Sequence, residues 1–113
     1  MKKIIFIILF FTIFTNTSVA QQTGETELYA QYEKVDKKLN VVYNKLKNKL
    51  NAVDKQALIN AQKDWLKFRA SNCKFRSQED SEGGVISNKM KIDCETEMTR
   101  ERIKEIESLM NDF

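Results

Sequence analysis

Three groups of residues in this chain have types and spacing that bear on chemistry. Cys73 and Cys94 are its two cysteines; Trp65, its one tryptophan, stands four residues before Arg69; and Glu79, Asp80 and Glu82 crowd a short segment after Arg76. At i, i+4 on a helix a guanidinium can lie along an indole face, a contact of about 0.5–1 kcal/mol at exposed sites and more when dry. A pair of carboxylates is what glycoside hydrolysis requires. On an exposed loop, however, Glu79, Asp80 and Glu82 lack the burial that raises a general acid's pKa. The same oxygen-rich run does not match the spacing of a twelve-residue calcium loop. The chain has no histidine to serve as a base, and neither a Gly-x-Ser-x-Gly elbow nor a Ser-x-x-Lys motif is present. Gly83-Gly84 lacks the lysine of a phosphate-cradling loop. The expectation is a protein that is not an enzyme and carries no metal or cofactor. Its acidic segment reads either as a solvated loop or as an anionic finger facing a partner.

The cysteines must be judged by compartment. Met1-Lys2-Lys3 is a positive start, Ile4 to Phe14 an uncharged apolar run, and Asn16-Thr17-Ser18-Val19-Ala20 ends in a small-x-small pattern. This predicts a secretory signal peptide over residues 1–20, cleaved after Ala20, and a single mature domain over 21–113. The apolar run is too short to span a bilayer comfortably. With no cysteine beside the cleavage point to accept a lipid, no stable membrane anchor is expected. Localisation to the periplasm or outside the cell follows. In an oxidising space two cysteines read as one disulfide, Cys73–Cys94, contributing roughly 3 kcal/mol on the chain-entropy model. Half a zinc site is the poorer reading, since neither histidine nor a second cysteine pair completes it. Residues 1–20 hold two lysines and no acid, so the formal net charge falls from +3 to +1 on cleavage. That balance gives no support to a nucleic-acid partner.

The elements that position these groups read as helices. Leu28, Tyr32, Val35, Leu39, Val42, Leu46, Leu50 and Val53 recur at steps of three and four, a long amphipathic helix from about Glu25. Residues 21–24 read as a frayed leader. A break falls near Asn51, with Asp54 as the expected N-cap of a second helix running to about Phe75. On that helix Ala61, Trp65, Phe68 and Cys73 are expected on one side, with Lys63, Asp64 and Lys67 on the other. A polar loop from Arg76 to Val85 lies inside the disulfide ring and holds two of the three glycines. Ser87 or Asn88 is the expected cap of a third helix, striped by Ile92, Thr99, Ile103, Ile106, Met110 and Phe113 with Cys94 and Met98 on its shoulder. No proline interrupts the chain, so helices can run long. The predicted fold is all-α: an antiparallel bundle of three helices, with one disulfide tying the loop between the second and third.

The set Leu39-Asn40-x-x-Tyr43, Leu58-x-x-Ala61-Gln62-x-x-Trp65-x-x-Phe68-Arg69-x-x-x-Cys73, Gly83-Gly84 and Cys94-x-x-x-Met98-Thr99-x-x-Arg102 resembles the lysozyme inhibitor LprI-like domain family. The match extends from about Leu28 to Leu109. The resemblance implies a small, exported, mostly helical bacterial domain with the same disulfide. It also implies lysozyme as a partner and inhibition of a host-type lysozyme as the function. The chain departs from the pattern in lacking a lipid-accepting cysteine and an additional cysteine around the first helix. Under the implied function, Glu79, Asp80 and Glu82 supply local negative charge toward a basic enzyme, and Arg76 beside Gly83-Gly84 is the cation offered to its catalytic carboxylates. The alternative is an envelope binding or structural module with a bacterial protein partner. In either case Asn40, Tyr43, Gln62 and Arg69 are expected as interior polar links paired across the bundle.

Overall fold

A computed structural model describes residues 17–113, with side chains from residue 24 onward. Three helices make up this part of the chain: α1 (Thr17–Lys49), α2 (Ala52–Arg76) and α3 (Gly84–Leu109). The expected signal segment lies outside the described residues as far as residue 16. Its last four residues form the first turn of α1, and residues 21–24, read as a frayed leader, are helical as well. With the nucleus of a helix already formed and no proline in the way, each further residue adds one hydrogen bond at little cost.

The connection from α1 to α2 is only Leu50 and Asn51, and so short a link turns the chain back on itself. Asn51, rather than Asp54, caps α2. Its side-chain oxygen accepts from the Asp54 backbone N–H at 2.9 Å, and its amide donates to Asp54 Oδ2 at 2.6 Å. Asp54 therefore holds the third position of a reciprocal capping arrangement, where its charge also faces the positive helix end. At the same end of the bundle, the Lys49 ammonium donates to the Met110 carbonyl at 3.1 Å, where α3 stops. This places a cation on the negative end of α3.

Pairs between elements fix the topology. Tyr29 with Asn88 and Lys49 with Met110 make α1 and α3 parallel; Asp36 with Arg69 and Arg69 with Thr99 make α2 antiparallel to both. The predicted three-helix bundle is thus the observed one. The apolar core is formed by Leu39, Val42 and Leu46 of α1 against Ile103 and Ile106 of α3, with Leu58 and Trp65 of α2 packed on its side. α2 leans on α3 far more than on α1. A groove of about 290 Å³ remains open between α1 and α2, lined by Asp36, Asn40, Tyr43, Ile59, Gln62 and Arg69 among others.

The inward face of α2 is not the one its hydrophobicity suggests. Gln62, Arg69 and Cys73 are buried and Trp65 is half-buried, whereas Ala61 is exposed and Phe68 is 57% exposed. Leu58, Gln62, Trp65, Arg69 and Cys73 follow one another at steps of four, three, four and four, the spacing of a single helix face. Ala61 and Phe68 sit beyond its edge. Polar groups occupy this interface because α3 offers them partners, as described below.

Candidate functional site

Two sites emerge from the described residues: an arginine cluster inside the bundle and a covalently tied tip at its end. In the cluster, the Arg69 guanidinium lies 5.2 Å from the Trp65 ring centroid and 5.6 Å from that of Tyr32. The predicted indole contact is present, and a second aromatic ring from α1 joins it. Arg69 Nη1 donates to Thr99 Oγ1 at 2.8 Å and to Asp36 Oδ1 at 3.3 Å, while Nη2 donates to the Tyr32 hydroxyl at 3.3 Å. Its Nε is buried without a hydrogen-bond partner; contact with the two aromatic rings offsets part of that cost. Arg102 of α3 also faces Trp65, at 5.8 Å. Its Nε donates to Gln62 Oε1 at 3.0 Å and its Nη1 to Glu105 at 2.7 Å.

Burial pushes the Tyr32 phenol above its ordinary pKa of 10.0, against the opposing pull of the Arg69 charge. Asp36 and Glu95 add to the rise. Tyr32 therefore stays a neutral hydroxyl at physiological pH, able to accept from Arg69. The cluster is a polar seam joining three helices, and apart from Arg69 Nε its guanidinium donors described above are directed at protein acceptors.

Gln62, Arg69, Thr99 and Arg102 thus come together, and Leu39 lies in the apolar core below them. Tyr43 is half-buried beside the core and carries Lys47 over its ring at 5.3 Å. Asn40 is not an interior link: it is exposed on the rim of the α1–α2 groove. One residue past the fully packed Leu39, it is rotated about 100° away from the core. Phe68 likewise stands outside the seam. Sequence reasoning missed Tyr32 as a ring partner and Asp36 as the counter-ion. Both lie on the inward stripe of α1, four and three residues from their stripe neighbours Asp36 and Leu39, which was the available signal.

The tip is built on the disulfide. Cys73 and Cys94 are joined with their Cα atoms 5.6 Å apart, as the sequence predicts, and Met98 Sδ packs 3.5 Å from the Cys73 sulfur. α2 ends just beyond, at a Schellman turn. Gln78 N–H bonds to the Phe75 carbonyl at 3.1 Å and Glu79 N–H to the Lys74 carbonyl at 3.3 Å, with Gln78 left-handed at φ 56°. Gly83 and Gly84, at φ 61° and 81°, turn the chain into α3. α3 therefore begins earlier than expected, and Ser87 is not its cap. Ser87 is buried in the first turn and donates to the Ser77 carbonyl at 2.9 Å, closing the loop from within.

Charge in this loop is largely neutralised. Glu79 pairs with Lys91 at 2.6 Å and Asp80 with Lys74 at 3.1 Å. The hydrogen bond that the Lys91 ammonium donates to Glu79 raises the Lys91 pKa above its usual 10.5. Of the three acids read as either a solvated loop or an anionic finger, Glu82 is left without an ion pair among the described residues, and so is Arg76 at the end of α2. Among the described residues, no group of three Cys, Asp or Glu is disposed to hold a metal ion. No helix of the described part is long and apolar enough to cross a membrane.

Comparison with known proteins adds the family. The family model described as "Lysozyme inhibitor LprI" matches residues 15–106. The chain belongs to the LprI lysozyme inhibitor family. No curated protein and no solved structure matches it. The match spans all three helices of this LprI-family chain, including the arginine seam, both cysteines and the two turn glycines, and it stops at Ile106, the last buried residue of the core.

Proposed function

We propose that this protein is exported, that cleavage after Ala20 releases it, and that it binds and inhibits a host-type lysozyme. Family membership over residues 15–106 is the observation that carries the reading. The tip supports it physically. A loop held by a disulfide, by two salt bridges and by the Ser87–Ser77 hydrogen bond loses little freedom on binding, and preorganisation of this kind raises affinity. Arg76 is an exposed, unpaired cation beside that anchor, the right charge to meet the two carboxylates of a glycosidase cleft.

Purified, oxidised mature protein tests the reading in a muramidase assay. Dose-dependent inhibition is expected, weakened in Arg76→Ala. Full lysozyme activity in the presence of tens of micromolar protein would remove the proposal. The second reading, an envelope module that meets another bacterial protein, is favoured by the pairing of Glu79 and Asp80, which removes most of the anionic finger. Capture of a bacterial envelope protein by material inactive against lysozyme would establish it.

A further inference from the structure

We infer that the outer α2–α3 face at the disulfide end is a docking surface for a cationic protein, and that this face carries the partner's weight where the paired loop acids do not. The inference rests on the inhibitory reading for the identity of the partner but not for the existence of the surface.

Both helices carry exposed apolar side chains toward this end. Phe68 is 57% and Phe75 81% exposed on α2; Ile86 is 76% and Met90 47% exposed on α3. Phe68 and Phe75 are seven residues apart, two turns along one meridian of α2. An aromatic pair so exposed has no role in the core, and aromatic anchors of this type dominate the energetics of protein interfaces.

The neighbouring ridge of α3 is acidic. Arg76, Met90, Asp93, Cys94 and Glu97 share one surface groove. The register set by Cys73–Cys94, Asn72–Met98 and Arg69–Thr99 puts Phe68 at the level of Glu101. Asp93, Glu97 and Glu101 follow at steps of four on the outward side of α3, and all three are exposed. Asp93 and Glu101 make no ion pair among the described residues, and Glu97 makes only a long surface contact with Arg100, at 3.4 Å. Exposed apolar side chains beside three carboxylates, two of them without an ion pair among the described residues, are complementary to a surface of apolar side chains rimmed by lysine and arginine. Attraction of this kind speeds encounter and fixes orientation, and it weakens as salt is added.

The test uses the disulfide-intact mature protein with three probes: a basic lysozyme, the same lysozyme succinylated to reverse its charge, and cytochrome c as a second cationic protein. Affinities are measured at low and high salt for the parent, for Phe68→Ser/Phe75→Ser and for Glu97→Lys/Glu101→Lys. These positions are exposed, so melting temperatures should match the parent's and report intact folding. Binding of the basic lysozyme, loss of binding on succinylation and an affinity drop of about tenfold or more in both variants support the surface. Parent and variants inhibiting lysozyme equally would overturn this surface and leave the inhibitory function standing. Face-dependent binding of cytochrome c without lysozyme inhibition would keep the surface and remove the function. Binding to none of the probes would overturn both.

Discussion

Arg69 of α2 donates to the hydroxyl of Thr99 of α3 at 2.8 Å, and Thr99 in turn donates to the Glu95 carbonyl at 2.6 Å. Both residues are buried, Thr99 completely. The threonine thereby acts as acceptor for the arginine while its own proton is satisfied within its helix, the arrangement a buried hydroxyl needs. With Asp36 and Tyr32 of α1 on the same guanidinium, one side chain joins all three helices. This seam supplies the contact between α1 and α2 that the apolar core, concentrated between α1 and α3, does not.

Arg69→Ala should therefore lower stability by about 3 kcal/mol, within the range for breaking a largely buried charge network. Arg69→Lys keeps the charge but cannot serve Thr99, Asp36 and Tyr32 from one planar fork, so it should recover only part of the loss. Urea unfolding of the three proteins decides the matter; a lysine variant as stable as the parent would show that charge alone suffices.

The turn out of α2 carries the opposite expectation. Gln78 holds the left-handed position of the Schellman motif, which glycine occupies at less steric cost. Gln78→Gly should stabilise the protein by about 0.5–1 kcal/mol, the lost steric penalty exceeding the added freedom of the unfolded chain. Gly84→Ala has open space for its Cβ but a φ of 81°, and should destabilise by about 1–2 kcal/mol through backbone strain alone. Thermal melts that move in the same direction for both substitutions would contradict the assigned turn geometry.

These residues also mark what the sequence could reveal. Leu39, Val42 and Leu46 were legible because α1 buries one apolar stripe, and helix period alone identifies it. The disulfide was legible because two cysteines admit one pairing. α2 was harder: its inward face carries Gln62 and Arg69, and their burial depends on Arg102, Thr99, Asp36 and Tyr32, which lie 30 to 40 residues away in the chain. Hydrophobicity therefore drew Phe68 inward in error. The acidic loop looked like an anionic finger because its partners, Lys74 and Lys91, stand outside the segment, on the two helices that flank it.

Loss of the disulfide should be felt more than loss of the loop's charges. Cys73→Ser/Cys94→Ser opens a loop of 21 residues and should cost about 3 kcal/mol. Glu79→Ala and Asp80→Ala remove partly exposed pairs and should each cost less than about 1 kcal/mol. Chemical denaturation under oxidising conditions ranks the three; a charge variant less stable than the double serine variant would reverse this order.

Alkaline pH should destabilise the fold, and the sign follows from two groups. Tyr32 and Lys91 both have pKa values raised above their ordinary 10.0 and 10.5, the first by burial and the second chiefly by its hydrogen bond to Glu79. In each case the folded protein holds its proton to higher pH than the unfolded chain does. Stability from these groups is therefore fully present below about pH 10 and falls as pH rises through the shifted values. The Lys91–Glu79 pair is partly exposed, so solvent screens its share and Tyr32 should dominate. Urea midpoints at about pH 9 and above pH 11 measure the fall, and Tyr32→Phe, which cannot ionise, should flatten it despite losing one hydrogen bond from Arg69. An equally steep decline in Tyr32→Phe would place the responsible proton on another group.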